Sequence, residues 1–530
     1  MVKVRLATAG DVLPVRDLFI AAYGHRYGVP EFYDTSWLTR WVYDDDAVFV
    51  VAEENGTIVG TMSALLATGD SDDLQALLGR MVTSPDRQGR GIGTALFRDI
   101  VARIEPRVHF AFGEARTAHD GSQKLCHAEG MAAVGYEPMA MRQMGTRESF
   151  AVFARTFGDA FTLRRPHPRV IPEAAILAGR SLESLGGPAD VEIADAEEGW
   201  PTWGEFTLSS FDESAALPLM RIERGRVRGR ELFGGLSLAL GFFRIAREPV
   251  SYIVARQGGV VLGGVGLEID AQDAHVRIFE LIGISDHVRG ALLAAADAAA
   301  CGAHQAAYVD ADISAYAPAL QCTLARLGYF PVAYMPAMVF HGHERLDVVR
   351  MAKLTIPYDP GPIVLRPEVD EVRQLVESQL RVLLRGREIA DSATLGGVLH
   401  GFTAGELAEL GMLLDVRDYA PGDVLLREGD VSRHVLLLLE GSADMTSTSG
   451  REAQLFAGEV FGEMALVTGA ARSATITARE RVRIASLDGA GLARLVDQKP
   501  RLGLALMRNL ARALSAKVRA RVDIRGEPVC

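Results

Sequence analysis

From Val2 the run Val-Lys-Val-Arg-Leu alternates apolar and polar positions as a strand does, and Asp11 to Tyr23 carries apolar residues at helical spacing. Ala47 to Ala52 and Thr57 to Leu66 are apolar runs on either side of Glu-Glu-Asn-Gly. They predict a hairpin in which Asn55-Gly56 supplies the positive φ angles of a type I′ turn. A further strand is expected to end near Met81-Val82-Thr83. Beyond it a glycine-rich stretch, Arg87-Gln-Gly-Arg-Gly-Ile-Gly93, leads into an amphipathic helix over Thr94 to Ile104. His109 to Arg116 then reads as a strand, Ser122 to Glu129 as a helix, and Val134-Gly-Tyr-Glu-Pro as the turn into a last strand.

The middle of the chain echoes this plan. Ser149 to Gly187, with its Arg-Arg-Pro-His-Pro and Gly-Gly-Pro signals, reads as a helical connector with turns. After it, Gly259 and Gly263 are spaced as Gly56 and Gly60 are, and Gln321 precedes Gly328 as Gln123 precedes Gly130. Leu327-Gly-Tyr-Phe-Pro likewise answers Glu129-Gly-Met-Ala-Ala-Val-Gly-Tyr-Glu-Pro. Shared offsets of this kind suggest a duplicated unit. Asp310 and Asp312 form a carboxylate pair, expected at a strand end and helix start, where Asp caps.

Tyr358-Asp-Pro-Gly-Pro breaks regular structure, and Glu368 to Gly386 follows as a charged amphipathic helix. From Phe402 short apolar strands are punctuated by Gly422, Gly429, Gly441, Gly450, Gly458 and Gly462, as in a jelly roll. Helices are expected over Gly489 to Val496 and Arg501 to Val518. The latter carries Leu502, Leu504, Leu506, Leu510 and Leu514 among basic residues and is read as closing over the barrel.

A strand, a glycine loop and a helix in that order aim free N–H groups at a pyrophosphate. Gly89, Gly91 and Gly93 allow close backbone approach. A dinucleotide fold is the competing reading, but here the loop follows several strands and has the form Gln-x-x-Gly-x-Gly at Gln88, Gly91 and Gly93. In this setting it resembles the acyl-CoA pyrophosphate loop of the GNAT acetyltransferase family, over roughly Val2 to Arg142. The resemblance implies that Met81, Val82, Thr83, Gln88, Gly89, Arg90, Gly91, Ile92, Gly93 and Thr94 hold acetyl-CoA. Relatives commonly place a Tyr general acid four residues before the glycine that ends the following helix; here that glycine is Gly130 and the position is Cys126. This departure leaves the general acid unassigned. Glu114 is the candidate base, with His119 and His127 read as solvated histidines. The middle region looks like a second, degenerate GNAT fold. Where its cofactor loop would be, Ile284-Ser-Asp-His-Val-Arg-Gly290 offers one glycine and an Asp, so one CoA per chain is expected.

Near the C-terminus, Phe461-Gly-Glu-Met-Ala-Leu and Ala471-Arg-Ser-Ala-Thr475 suit a cyclic phosphodiester. Glu463 can accept from a ribose hydroxyl and Arg472 can pair with a phosphate, while small residues between them free backbone N–H groups for the anion. The string resembles the phosphate cassette of cyclic nucleotide-binding domains, with Phe461, Gly462, Glu463, Met464, Ala465, Arg472, Ser473 and Ala474 as the implied ligand set. The effector implied is cAMP or another cyclic nucleotide.

Composition adds limits. The chain has 530 residues, 48% hydrophobic and 23% charged, with a net charge of −12, so nonspecific nucleic-acid affinity is not expected. The four cysteines (Cys126, Cys301, Cys322 and Cys530) lack metal or redox spacing, and no apolar run is long enough to span a bilayer. A cytoplasmic setting is expected. The expected organisation is a GNAT α/β (α+β) domain over 1–145, a connector and degenerate second GNAT-like domain over 146–358, a helical linker over 359–400 and a β jelly-roll cyclic nucleotide-binding domain with flanking helices over 401–530. The combination resembles bacterial cyclic nucleotide-regulated protein acetyltransferases, which implies acetyl transfer to a protein lysine or small amine. The alternative is a non-catalytic, nucleotide-responsive interaction protein that binds acyl-CoA.

Overall fold

The computed structural model describes residues 2–66, 75–143, 145–195, 197–225, 229–234, 250–393, 398–399, 401–402, 404–450 and 452–523. Cys530 lies outside them. The chain divides into two compact units, one of Met1–Ala325 and Tyr329–Gln379, the other of Arg326–Gly328 and Leu380–Cys530. The division falls inside the helix Pro367–Ala393.

In the first unit, β1 (Lys3–Leu6), α1 (Val12–Tyr23), α2 (Thr35–Val42), β2 (Ala47–Glu54), β3 (Thr57–Leu65), β4 (Gln75–Thr83), α3 (Ile92–Ile104), β5 (Phe110–Arg116), α4 (Gly121–Ala128), β6 (Ala132–Gln143) and β7 (Thr146–Thr156) form one half. A short parallel pair, β8 (Arg169–Val170) and β9 (Glu192–Ile193), stands apart from the main sheet. The other half holds β10 (Thr207–Ser210), β11 (Leu232–Phe233), β12 (Val250–Gln257), β13 (Val260–Asp270), β14 (His275–Gly283), β15 (Tyr308–Ser314), β16 (Phe330–His341) and β17 (Glu344–Leu354). Asn55 and Gly56 both take positive φ, 53° and 80°, so the β2–β3 turn forms as the Asn-Gly pair predicts.

All these strands but the β8–β9 pair join one sheet, ordered β1-β2-β3-β4-β5-β7-β6-β16-β17-β15-β14-β13-β12-β10, with β11 on β15. The order is mirrored about its middle. β4–β5 and β14–β15 are parallel, and every other pair in the sheet is antiparallel. β7 corrects the expectation of a connector beginning at Ser149. Phe150, Ala151, Val152, Phe153 and Ala154 are all buried, which is how a strand paired on both edges and covered on both faces reads.

Equivalent hydrogen bonds recur at a constant offset of 198 residues (321 − 123 = 198). Met139 and Ala337 both take positive φ near the seam. Arg147 Nε donates to the Met139 carbonyl at 2.8 Å, and Arg345 Nε to the Ala337 carbonyl at 2.6 Å. The Met139 N–H donates to Ser149 Oγ, and the Ala337 N–H to Asp347 Oδ1. Gln123 and Gln321 are both buried, and their bonds run crosswise. Gln123 joins Val364 and Arg366, which follow the second half, whereas Gln321 joins Arg169 and Ile171, which follow the first.

The second unit is a barrel of two four-stranded sheets. β18 (Asp415–Tyr419), β19 (Val424–Leu426), β20 (His434–Glu440), β21 (Ser442–Thr446), β22 (Glu452–Phe456), β23 (Val460–Phe461), β24 (Thr475–Ala478) and β25 (Val482–Asp488) pair in the orders β18-β25-β20-β23 and β19-β24-β21-β22. The apolar run Val435–Leu439 serves two cores. Leu436 and Leu438 face the barrel interior with Phe461 and Ile476, while Val435, Leu437 and Leu439 meet Leu502, Leu506 and Leu510 of the helix Pro500–Asp523. Leu504 does not join this stripe: it is 71% exposed, since helical spacing groups 502, 506 and 510 instead. Among the described residues no helix is long and apolar enough to cross a membrane, and no group of three or more His, Cys, Asp or Glu is placed to hold a metal ion.

Candidate functional site

A bulge and a splay create the first site. On β4, Arg80 and Met81 together oppose Met62 of β3, because the register passes from Thr61↔Val82 to Ser63↔Gly79. Arg80 takes φ +54° there. On its other edge β4 pairs with β5 only as far as Leu78↔Gly113. Gly113 lets the strands meet at that apex, since a Cβ would stand 2.9 Å from the Leu78 carbonyl. Beyond it Gly79–Thr83 and Glu114–Arg116 part, and among the described residues no strand pairs with the β4 edge bearing Met81, Val82 and Thr83 on that side.

The loop carrying Gln88, Gly89, Arg90 and Gly91 leads directly into α3. Gly89 and Gly91 take φ +75° and +78°, and a Cβ on either would meet nothing within 4 Å. Gly91 is the N-cap of α3 and no side chain caps it. The N–H groups of Ile92, Gly93 and Thr94 therefore have no intrahelical acceptor and suit an anion. These features fit the pyrophosphate of an acyl-CoA. Ile92 is buried against Gly60, and Gly93 admits Leu125 and Met81 where a side chain would crowd them.

The equivalent wedge of the second half is filled. β14 and β15 pair only from His275↔Tyr308 to Arg277↔Asp310. β11 then occupies the opening, with Leu232 opposite Ile313 and Phe233 opposite Asp312. Gly234 lies against Phe279, where a Cβ would approach to 2.6 Å. The helix Asp286–Cys301 that follows is capped by the Ser285 side chain, and Pro201 sits over Gly290.

Glu114 is the first β5 residue past the apex, and its side chain is 23% exposed. Its partner was not foreseen from the sequence: Arg350 of β17 approaches Glu114 Oε1 at 3.5 Å. Four strand steps separate β5 from β17, about 19 Å in a flat sheet at roughly 4.8 Å each. The sheet is therefore folded at the seam, where β6 and β16 share one paired position, Gly135 with Ala333. Buried Arg350 also holds Glu137 at 2.7 Å and Asp312 through two bonds of 2.7 and 2.9 Å. Burial pushes the Glu137 carboxyl up to about 7 against the pull of Arg350.

Asp310 and Asp312 thus sit within β15 and not at caps, which corrects the sequence expectation. Arg277, His275 and Arg350, from neighbouring strands, compensate them. Burial would raise the Asp310 carboxyl, but Arg277 and His275 hold it far below the usual range. On β4, Arg80 is desolvated and feels Tyr27 and Glu114. Cys126 is buried, which pushes its thiol up to about 12. His119 is exposed, with its proton affinity lowered first by the desolvation it does undergo and then by Arg116. His127 is exposed and lies 3.3 Å from Glu368.

The second site lies in the barrel. β23 ends at Phe461, Gly462 turns with φ +80°, and the short helix Glu463–Thr468 begins. This places Met464 at the surface and buries Ala465 and Glu463. Buried Arg472 donates from Nη1 to the Gly462 carbonyl at 2.7 Å, from Nη2 to the His434 carbonyl at 2.9 Å and from Nε to Ser432 at 3.2 Å. A guanidinium has five N–H donors, so about two remain for an anion. Burial lowers its proton affinity, which Asp430 and Glu463 offset. Gly462 has to be glycine here, since a Cβ would lie 2.5 Å from Arg472 Nη1. Ser473 follows exposed and Ala474 buried, so the hydroxyl is on the solvent side.

Residues 12–127 match the model of the acetyltransferase (GNAT) family, and residues 416–499 that of the cyclic nucleotide-binding domain. Over 131 residues the chain is 37% identical to glutaminase 1 of Bradyrhizobium diazoefficiens, covering 24% of this chain and 21% of that protein. Over 101 residues it is 34% identical to the cAMP-dependent protein kinase regulatory subunit of Colletotrichum orbiculare, covering 19% and 26%. The chain spans about a quarter of the length of these curated relatives. Among solved structures, yncA, a putative acetyltransferase from Salmonella typhimurium with its cofactor acetyl-CoA, is 16% identical with a TM-score of 0.26, covering 30% of this chain and 95% of that one.

Proposed function

We propose that this chain, which carries a GNAT acetyltransferase domain at 12–127 and a cyclic nucleotide-binding domain at 416–499, is an acetyl-CoA-dependent N-acetyltransferase controlled by a cyclic nucleotide. The observation that carries the enzymatic reading is the β4–β5 wedge, which has an uncapped, glycine-led helix start at one side and Glu114 just past its apex. Acetyl-CoA supplies an acyl thioester. The N–H groups of Ile92, Gly93 and Thr94 bind its pyrophosphate, and the free β4 edge at Met81–Thr83 pairs with its extended arm. Glu114 takes a proton from the acceptor amine, directly or through water, as nitrogen bonds to the acyl carbon and the carbon–sulfur bond breaks, its electron pair leaving on CoA as a thiolate that takes its proton from solvent.

Placement of the amine beside the thioester supplies much of the rate. The favoured acceptor is a protein lysine, with a small amine second. In the barrel, Arg472 and the N–H groups after Gly462 take the cyclic phosphate, and Glu463 takes the ribose hydroxyl. The similarity to a cAMP-dependent kinase regulatory subunit supports cAMP as effector. The mirrored strand order and the bonds repeated at a constant offset support reading the second half as a degenerate GNAT copy.

The test is acetyl-CoA turnover by the full chain on the proteins of a lysate, with and without cAMP. A rate that changes with cAMP supports the reading. Acetylation absent under both conditions leaves a binding protein that senses the nucleotide without turnover.

A further inference from the structure

Asp312 follows Glu114 by the repeat offset (312 − 114 = 198), so the two carboxylates hold equivalent places in the two halves. Their situations differ. Asp312 lies directly across the β15–β17 ladder from Arg350 and accepts from both Nε and Nη2. Such a fork engages both carboxylate oxygens. The wedge beside it is filled by β11. The same grip fixes where the remaining nitrogen of Arg350 points. Nη1 lies 2.7 Å from Glu137 and 3.5 Å from Glu114, both in the first half.

We propose that Arg350 is a positioning residue for acetyl transfer: anchored on the disabled carboxylate of the second half, it orients Glu114 in the wedge of the first. The second half then acts as the buttress of a site that it does not itself contain. This rests on Glu114 being the base. Arg350 is 1% exposed, and a planar guanidinium locked along one edge cannot swing to follow a drifting partner. The charges around the pair come from every strand packed on it. Glu114 faces Arg350 from β17 and Arg80 from β4. Arg350 faces Glu137 of β6 and Asp312 and Asp310 of β15, with the Phe112 ring 5.9 Å from its guanidinium. Asp310 is itself held by Arg277 and His275 of β14. Burial first, and the Glu114 charge after it, push the Glu137 carboxyl up to about 7 against the pull of Arg350.

The experiment compares full-length wild type with Arg350→Met combined with Asp312→Asn, which removes that buried pair together, while Glu137, whose carboxyl burial already pushes up to about 7, can take a proton when Arg350 is lost. Acetyl-CoA serves as donor and lysate protein lysines as acceptors. Turnover should fall about tenfold or more while the KM for acetyl-CoA stays within about twofold, because alignment is lost and cofactor contacts are not. Should the double variant fail to fold, Arg350→Lys, which keeps the charge and loses the fork, carries the same expectation for turnover. A folded variant with wild-type turnover overturns the proposal and leaves Arg350 a core ion pair. Glu114→Gln separates the two layers. If it is inactive while the Arg350 variants are unimpaired, only the positioning role falls; if it is fully active, the base and the positioning role fall together.

Discussion

Gly135 and Ala333 meet across the seam of the long sheet so closely that a Cβ on Gly135 would stand 2.3 Å from that of Ala333. The Val332 carbonyl, at 2.7 Å, closes the other escape. Gly135→Ala must therefore push β6 from β16 at their one paired position. The cost should be about 1–3 kcal/mol, typical of overpacking. A thermal melt of the full chain should show the first unit unfolding about 2 °C or more below wild type. An unchanged midpoint would mean that the seam yields freely.

One acetyl-CoA should bind per chain. β11 fills the second wedge, the Ser285 side chain caps the helix beside it, and Pro201 lies over Gly290. Titration calorimetry reads the stoichiometry directly, and a value near two would show that β11 gives way to ligand.

Gly91→Val separates the cofactor loop from the fold. A Cβ there meets nothing within 4 Å, but φ +78° disfavours any L-residue by about 1–2 kcal/mol and strongly disfavours a β-branched one. The loop should leave its anion-binding shape, weakening acetyl-CoA about tenfold or more with little change in melting. Wild-type affinity would place the pyrophosphate elsewhere.

Arg472→Ala should nearly abolish cAMP binding. Removing one member of a buried charge pair costs about 2–5 kcal/mol, some thirty- to several-thousandfold in affinity. The loss includes a structural share here, because Arg472 also ties the carbonyls of Gly462 and His434. Glu463→Ala, which removes the proposed ribose contact, should weaken binding less. Fluorescent cAMP displacement ranks the two, and undiminished binding by the Arg472 variant would remove that residue from the site.

Glu137 links stability to pH. Its carboxyl sits at about 7 in the folded chain, against 4.5 ordinarily. Between those values the folded state keeps a proton that the unfolded chain has released. The stabilisation is complete below about 4.5 and is lost as pH rises through about 7. Glu137→Gln cannot titrate, so its stability relative to wild type should rise between about pH 5 and about pH 8 in urea melts. A difference that stays constant across that range would place the titration on another group.

What the sequence disclosed is local chemistry. Asn55-Gly56 dictates its turn, Gly89 and Gly91 announce a loop in the left-handed region, and the Phe461 to Ala474 string places Arg472 by short-range geometry. What it concealed depends on partners far along the chain. Asp310 and Asp312 look like caps until Arg277 and Arg350 arrive from other strands. Arg350 is one arginine among many until a fold in the sheet brings it to Glu114. β7 is hidden in the sequence because residues buried on both faces show no alternation, and the turn signals of Arg164 to Pro168 lie just beyond it. The run Val435–Leu439 shows the same ambiguity, and there a single strand supplies two cores.

The crosswise bonds of Gln123 and Gln321 bear on how such a chain can change over generations. Each half is latched by a segment that the gene encodes after the other. A recombination breakpoint after Ile171 and ahead of the second half would strip both latches at once and leave β6 with a bare edge, free to pair with any neighbouring chain. The first unit must therefore be inherited, or borrowed, whole.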